Sequence, residues 1–389
     1  MIRIIAATFH RSHNHGSVLQ AYALQRFVTR LFEEEYGDTC SYQIIDYHPN
    51  IQKQLYAVFQ SGHSIKIGIK NLMALRYVKS LNIRHKRFNS FVEEYLSMTQ
   101  EYKSADDVML NPPLGDCYIA GSDQIWNVRA KDFSPIYYLN YVPEDALKIS
   151  FSASFGPLPI DWSKYGKERY SALLDSFDKI SVRETGSADN VEMLTGRIPT
   201  ILADPTFLLD KTEWEELENK DVLEKDEFIL LYSLEPTPRQ LQLANLVSKK
   251  LHLPIVVLRY NNKNDFINPY KKRYSAGPRE FLAYIAKAKM VLTSSFHGTA
   301  FSILYQKPFY TLDVDGDARI SSVLEKTGLS DRMISSPDDI NRVNMESPDF
   351  NVASKYIAKN RWRSVSFLKE SFGLLQSPVD RQHHGFNQI

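Results

Sequence analysis

The sequence has few cysteines, no long apolar run and almost no charge excess, and each shortage excludes a class of protein. Cys40 and Cys117 are its only cysteines, too few for a disulfide framework or a four-cysteine zinc site. No segment reaches the roughly 18 consecutive apolar residues of a membrane-spanning helix. Lys and Arg (47) nearly balance Asp and Glu (46), which argues against a nucleic-acid partner. We therefore expect a cytoplasmic protein.

The remaining composition is that of a folded protein with more than one domain. Hydrophobic residues make up 43% and charged residues 24%, which excludes disorder over most of the chain. At about 150 residues per domain, a length of 389 residues predicts two or three domains. The apolar run Met1–Ala7 meets a polar loop at once, so it lacks the long core of a signal peptide and predicts a buried strand.

Apolar runs and helical patterns alternate along the chain. A strand over Ile2–Thr8, a helix from about Val18 to Tyr36 and a strand over Tyr42–Tyr47 form a βαβ start, which predicts a parallel sheet. We expect an α/β protein with two Rossmann-like domains facing across a cleft. The predicted parts are 1–210 (with a basic helical insertion at about 51–100), 211–350, a closing helix at 351–375 and a flexible tail at 376–389.

Two polar motifs follow strands of the first half, where ligands of such sheets bind. In the loop from His10 to Ser17, Gly16 would let the backbone approach an anion at the helix start, with Arg11, Asn14 and Ser17 nearby. The alternative is a polar turn in which Asn14 or Ser17 caps the helix. In Gly121-Ser122-Asp123, the carboxylate of Asp123 could accept a proton from a sugar hydroxyl. The alternative is a cap for a helix starting at Gln124.

Two further motifs add a cation and an acid or base. Arg183 follows a strand and can grip a carboxylate or phosphate, although a structural pair with Glu184 or Asp204 is equally open. The second motif runs from a strand through His297 into a helix, and imidazole is suited to general acid or base work. Its neighbours predict a phosphate site: Ser294, Ser295, Gly298 and Thr299. A lone structural histidine is the alternative.

Metal binding is not expected from this sequence. It has no HExxH, no CxxC and no paired carboxylates at ligand spacing. Asp313, Asp315 and Asp317 surround Gly316 loosely as in a calcium loop, but the other EF-hand ligands are missing, so a solvated loop is the preferred interpretation.

A basic segment interrupts the first half. Residues 64–96 hold seven cations and only two acids, Glu93 and Glu94. We hypothesise that this segment leans on the inner face of a membrane. For the run from Arg84 to Arg87, a solvated helix face is the preferred interpretation and contact with anionic lipid headgroups is the alternative.

Taken together, the motifs resemble one family. The segments 14–24, 121–127, 181–184, 204–206 and 295–298 resemble, in this order, the motifs of the polysaccharide pyruvyl transferase family, over about residues 1–340. The resemblance implies a fold like that of the GT-B glycosyltransferases. It also implies phosphoenolpyruvate as donor substrate, no further cofactor, and a sugar of a capsule or exopolysaccharide precursor, commonly lipid-linked, as acceptor. The product is a pyruvate ketal.

The resemblance also implies roles for three residues. His297 would be the acid or base, Arg183 would bind the anionic groups of the donor, and Asp123 would orient or deprotonate the acceptor. Many members carry Arg-x-His where this sequence has Ser295-Phe-His297. A different cation would then have to compensate, and the candidates are Arg11, Arg259 and Lys307.

Two other functions stay open at this point. A glycosyltransferase on a similar scaffold would need a nucleotide-sugar site in the second domain. A glycan-binding relative without catalysis would keep the fold but lose the acid or base. The departure at Ser295 is the feature that keeps the second alternative open.

Overall fold

The structure is a computed structural model that describes residues 1–37, 39–62, 64–164, 166–221, 224, 226–258, 270–312 and 317–376. Parallel strands alternate with helices along these residues and form two main sheets. The expected fold class is thus confirmed: the protein is α/β, with two Rossmann-like domains.

The first domain is built on a five-stranded parallel sheet. Its strands are β1 (Arg3–Ala7), β2 (Ser41–Tyr47), β3 (Met98–Tyr102), β4 (Cys117–Ala120) and β5 (Leu147–Ser150). Their order in the sheet is β3-β2-β1-β4-β5. Two short strands pair with each other and join the β5 edge through isolated bridges: β6 (Ser181–Val182) and β7 (Thr200–Ile201). The helices are α1 (His15–Tyr36), α2 (Asn50–Tyr56), α3 (Ile65–Leu75), α4 (Val78–Tyr95), α5 (Ala105–Leu110), α6 (Lys167–Asp175) and α7 (Thr185–Thr195).

The second domain is built on a six-stranded parallel sheet. Its strands are β8 (Ile229–Tyr232), β9 (Ile255–Leu258), β10 (Lys271–Arg273), β11 (Met290–Thr293), β12 (Phe309–Leu312) and β13 (Met333–Ile334). Their order is β10-β9-β8-β11-β12-β13. The helices from the connecting segment onward are α8 (Lys211–Glu216), α9 (Pro238–Leu251), α10 (Pro278–Lys287), α11 (Phe296–Leu304), α12 (Ala318–Lys326) and α13 (Asn351–Gln376). Every residue of β8 and β11 is buried, because helices cover both faces of the sheet.

The two domains share buried apolar contacts. The ring of Trp214, on α8, lies 6.0 Å from the ring of Tyr22 on α1 and 5.0 Å from that of Phe301 on α11. One apolar core therefore runs through both domains. An interface of this kind restricts relative domain motion, because opening it would expose apolar surface.

Helix α13 follows the second sheet in the chain but packs on the first domain. The ring of Phe372 lies 4.7 Å from that of Phe32 on α1. The guanidinium of Arg361 donates to the carbonyl oxygens of Phe207 and Leu209 at 2.8 and 2.6 Å. The expected closing helix thus fastens the second domain to the first.

Each sheet has one point at which the strand order reverses. In the first sheet the point lies between β1 and β4, and in the second it lies between β8 and β11. Ligands of such folds bind outside the carboxyl ends of the strands at this point. The polar motifs after β1, β4 and β11 therefore stand where a ligand site is expected.

The start of α1 differs from the prediction. The helix begins at His15, three residues before the expected Val18, and Asn14 caps it by accepting a hydrogen bond from the amide of Gly16 at 3.1 Å. Between the two predicted caps, Asn14 is therefore the cap. The hydroxyl of Ser17 is left for another partner, described below.

The basic segment folds into α3 and α4, and two of its cations turn inward. Arg84 is 3% exposed and donates to the carbonyl oxygen of His13 at 2.8 Å. Arg87 donates to the carbonyl oxygen of Ser275 and pairs with Glu280 at 3.1 Å. Arg84 is therefore neither part of a solvated helix face nor in contact with lipid headgroups. Among the described residues, no helix is long and apolar enough to span a membrane.

Two buried histidines of the first loop predict that acid destabilises the protein. Burial lowers the pKa of His13 to about 2, and burial also holds the pKa of His15 far below its ordinary value. The unfolded chain binds a proton at each site below about pH 6.5, whereas the folded protein does not. The free energy of unfolding should thus fall by up to about 1.4 kcal/mol per pH unit per histidine below pH 6.5.

Denaturant titrations at pH 7 and pH 5.5 measure this slope. His13→Phe keeps a ring against Tyr56 and Phe88, whose centroids lie 5.2 and 4.9 Å from that of His13. The variant should lose the contribution of His13 to the pH dependence, while His15, His48 and His85, whose pKa values are also lowered, keep theirs. An unchanged slope would contradict the assignment.

Candidate functional site

A cleft of about 290 Å³ lies between the domains at the carboxyl ends of both sheets. The first domain lines it with Asn14, Asp123 and Gln124. The second domain lines it with Ser233, Leu234, Glu235, Thr237, Gln240, Ser294, Ser295, Phe296, His297 and Arg319. Five residues predicted from the sequence are thus brought together: Asn14, Asp123, Ser294, Ser295 and His297.

Asp204 is the buried centre of a network behind this cleft. Its Oδ2 accepts from Arg183 Nη1 at 2.8 Å and from Ser122 Oγ at 3.2 Å, and lies 3.6 Å from Nε2 of His297. Its Oδ1 accepts from the amide and hydroxyl of Thr206. Burial by itself raises the pKa of Asp204, but the charges of His297 and Arg183 and the hydrogen bond from the amide of Thr206 outweigh it and hold the pKa well below the ordinary value. Asp204 therefore stays anionic and anchors residues of both domains.

Arg183 forms both structural pairs that the sequence left open. It pairs with Glu184 at 3.3 Å and with Asp204 at 2.8 Å, and its guanidinium lies 4.5 Å from the ring centre of Phe296 in the other domain. Burial would lower the pKa of Arg183, but the two carboxylates raise it, so the side chain stays charged. Its Nη2 is buried and has no hydrogen-bond partner among the described residues. One N–H group thus remains for a ligand.

His297 lies in the first turn of α11 and is 5% exposed. Its Nε2 has no hydrogen-bond partner within the described parts of the chain. The ring lies over Gly16 of the other domain: a Cβ at position 16 would stand 2.0 Å from Cγ of the imidazole. Our expectation that Gly16 admits a ligand needs correction, because the imidazole fills the space above it.

Asp123 is held in a strained backbone conformation. Its φ is 75°, in the left-handed region that few non-glycine residues adopt. One carboxylate oxygen accepts from the amide of Gln124 at 2.9 Å, and the other accepts from the hydroxyl of Ser17. Turns rather than a helix follow it, so the alternative role as the cap of a helix at Gln124 is wrong. The structure fixes this carboxylate at the edge of the cleft.

The wall of the second domain is rich in hydroxyl groups. Ser294 Oγ donates to Ser233 Oγ at 2.6 Å. Ser295 stands at the N-cap of α11, but its hydroxyl makes no capping hydrogen bond. The amide groups of the first helical turn and the positive end of the helix dipole therefore meet the cleft beside two serines, which suits an anion.

Arg319 is a cation of the cleft that the sequence analysis missed. It also lines a smaller adjoining pocket together with Arg183, Phe296 and Lys326. Asp317 holds its guanidinium with two hydrogen bonds of 2.9 and 2.5 Å. No motif marks this arginine, and its only signal is its place shortly after β12, at the carboxyl end of the sheet.

Several predicted site residues do not line the cleft. A Cβ on Gly121 would stand 2.9 Å from Thr8, and one on Gly298 would stand 2.1 Å from a hydroxyl of β11. Thr299 is fully buried and donates within α11 to the carbonyl oxygen of Ser295. These three residues pack the strands and helix that carry the site, and their substrate-binding roles stay predictions.

Of the three cations proposed to compensate for Ser295, the two that the structure describes, Arg11 and Lys307, do not line the cleft. Arg11 is engaged by Asp46 through two hydrogen bonds of 2.9 and 2.6 Å. Lys307 donates to the carbonyl oxygen of Ala286 at 2.9 Å. Arg259 lies outside the described residues, as do Asp313 and Asp315 of the acidic loop.

Comparison with known families identifies the chain. The profile of the polysaccharide pyruvyl transferase family matches residues 14–316. The protein belongs to this family. The match includes Asp123, Arg183, Asp204 and His297, so the residues that meet at the cleft lie inside the part that defines a polysaccharide pyruvyl transferase. No match to a curated protein is significant at the sequence level.

Solved structures show the same fold at low sequence identity. The UDP-GlcNAc 2-epimerase of Methanocaldococcus jannaschii, in complex with UDP-GlcNAc and UDP, has a TM-score of 0.52 at 14% identity, over 95% of this chain and 99% of that one. MnaA of S. aureus, in a structure with UDP, gives 0.51 at 9% identity, over 97% and 98%. AviGT4, a glycosyltransferase involved in avilamycin A biosynthesis, gives 0.50 at 10% identity, over 97% and 99%. The fold of this polysaccharide pyruvyl transferase family member is thus GT-B-like.

Proposed function

We propose that this protein transfers pyruvate from phosphoenolpyruvate to two hydroxyls of a sugar in a capsule or exopolysaccharide precursor, as a cyclic ketal. The supporting observation is that His297 and Arg183 approach Asp204 from opposite domains, while Nε2 of His297 and Nη2 of Arg183 make no hydrogen bond among the described residues. A proton donor and a cation beside one cleft are what an anionic enol ester requires.

The proposed reaction balances without any other reactant. His297 gives a proton to the methylene carbon of the donor, and the neighbouring carbon becomes electron-poor. Asp123 accepts the proton of the first sugar hydroxyl as its oxygen bonds to that carbon. The bond to the phosphate oxygen then breaks, and the second hydroxyl closes the ring. The two hydroxyl protons are recovered in the new methyl group and in the hydrogen phosphate released.

Free hydrogen-bond donors, more than a net positive charge, support the binding of phosphoenolpyruvate in this cleft. Glu184 and Asp204 offset the charge of Arg183, and Asp317 offsets that of Arg319. The hydrogen-bond donors still available include Nη2 of Arg183 and the hydroxyl of Ser295, which caps no amide of α11. These suit the planar carboxylate and the phosphate of phosphoenolpyruvate, respectively.

Phosphate release from phosphoenolpyruvate is the test of this proposal. The protein is incubated with lipid-linked or synthetic galactosides, glucosides and mannosides, and the acceptor is then examined by mass spectrometry. Acceptor-dependent release with the mass gain of a pyruvate ketal is the expected result. No release with any acceptor, together with binding of a nucleotide sugar, would instead favour a glycosyltransferase.

Arg319 is expected to supply the cation that many relatives carry at position 295. Arg319→Gln should raise the KM for phosphoenolpyruvate about 30-fold, because a charge-assisted hydrogen bond to an anion contributes roughly 2 kcal/mol. Adding Ser295→Arg to this variant should restore most of the lost affinity, since both positions line the cleft. Initial rates at varied donor concentration measure both effects.

Arg11→Gln is the matched control for this experiment. Arg11, like Arg319, is held by one aspartate through two hydrogen bonds, but it does not line the cleft. The control should keep the wild-type KM. Equal changes in KM for Arg11→Gln and Arg319→Gln would reject the role of Arg319.

A further inference from the structure

Helix α3 carries its most apolar face on the outside of the protein. Ile65, Ile69 and Leu72 stand at positions i, i+4 and i+7, and their side chains are 84%, 55% and 69% exposed. This spacing places the three on one side of the helix. Large apolar side chains grouped in this way are uncommon on a protein that contacts only water.

The opposite face holds α3 to the protein. Ala74 is buried, and Asn71 exchanges two hydrogen bonds with the backbone of Gln60, at 2.9 and 3.0 Å. One face of α3 therefore packs on the protein, and the opposite, apolar face is exposed.

The charge of the surrounding chain is of one sign. Residues 47–92 contain eight lysines and arginines and no aspartate or glutamate. Among the cations that the structure describes, Arg76, Lys79 and Lys86 are exposed and follow the apolar face along α3 and α4. An apolar helix face bordered by cations matches the headgroup region of an anionic bilayer, where apolar side chains enter and cations meet phosphate.

The position of α4 links this surface to the cleft. Arg84 of α4 donates to the carbonyl oxygen of His13 at 2.8 Å, and the next residue, Asn14, lines the cleft. Arg87 of the same helix contacts Ser275 and Glu280 in the second domain. A surface that binds α3 would thus lie near the opening between the two domains.

We propose that the Ile65–Ile69–Leu72 face of α3 inserts into the headgroup region of anionic phospholipid membranes, with Arg76, Lys79 and Lys86 on the lipid phosphates. In this proposal the apolar face of α3 contacts the lipid, instead of Arg84 and Arg87. It depends on the apolar face of α3 and not on the proposed chemistry, so it holds or fails independently of the pyruvyl transfer.

Flotation of the full chain with vesicles tests the proposal. One set of vesicles is pure phosphatidylcholine and the other an equal mixture of phosphatidylcholine and phosphatidylglycerol. The wild type should float with the anionic vesicles and not with the neutral ones, and added salt should weaken binding. Ile65→Gln should lower the partition coefficient about tenfold, because a large apolar group no longer enters the lipid.

Ile198→Gln is the matched control, since Ile198 is 83% exposed and lies outside the basic segment. It should bind vesicles like the wild type. The proposal is overturned by a wild type that stays unbound at low salt, or by equal partition of the two variants. A wild-type dimer that Ile65→Gln turns into a monomer in light scattering would also overturn it, because the face would then belong to a second copy of the chain.

Discussion

Replacing His297 by asparagine is expected to lower kcat about 1,000-fold, because general acid catalysis typically contributes factors of this size. The imidazole is the one group at the centre of the network that can deliver a proton to carbon, and its Nε2 is unpartnered among the described residues. The substitution leaves Asp204 paired with Arg183, so the fold should persist. Phosphate release and a thermal melt measure the two properties separately.

The control for this experiment is His252→Asn. His252 is exposed at the end of α9 in the left-handed conformation, which asparagine also accepts. This variant should retain full activity. A residual rate within about tenfold of wild type would rule out a general acid role for His297.

Gly16→Ala is expected to lower kcat about 100-fold, because an added Cβ would displace the imidazole by more than 1 Å. That carbon would stand 2.0 Å from Cγ, 2.1 Å from Nδ1 and 2.5 Å from Cβ of His297. None of these atoms is the free end of a flexible chain, so the whole side chain must move. Initial-rate kinetics should show the loss in kcat rather than in donor KM.

Gly186→Ala is the matched control, because no atom lies within 4 Å of the added carbon in α7. It should leave the activity unchanged and stabilise the helix by up to about 1 kcal/mol. A double variant tests the route of the effect. If Gly16 acts through the imidazole, Gly16→Ala should cost little further activity once His297→Asn is present. Additive losses would mean that Gly16 acts elsewhere.

The parallel α/β pattern explains why much of the site could be predicted. Such sheets bring the carboxyl ends of their strands to one edge, so motifs far apart in sequence meet without any knowledge of the tertiary structure. Asp123 and His297 were located in this way, and both line the cleft. The resemblance to the family added roles for these two residues but did not locate them in the fold.

The features that escaped prediction depend on contacts between distant segments. Arg11 looked available for a ligand until the fold placed Asp46 beside it. The need for glycine at position 16 arises from an imidazole in the other domain. Arg319 belongs to no motif, and only the second sheet brings it to the cleft.

The edge strands β3 and β10 were missed for a related reason. The strand β3 reads Met-Thr-Gln-Glu-Tyr, and β10 reads Lys-Lys-Arg, so neither has the apolar run that marks the central strands. An edge strand is covered less than a central one and therefore needs less apolar sequence. Pairing with β2 and β9 then determines the conformation of these segments.

The contact of α13 with the first domain bears on how the chain is synthesised. The ribosome produces the first sheet early, yet Phe32 receives its partner Phe372 only some 340 residues later. Until then, the surface around Phe32 is apolar and uncovered, which invites association with other nascent chains or chaperones. The first domain can thus reach its native surface only after α13 has left the ribosome tunnel.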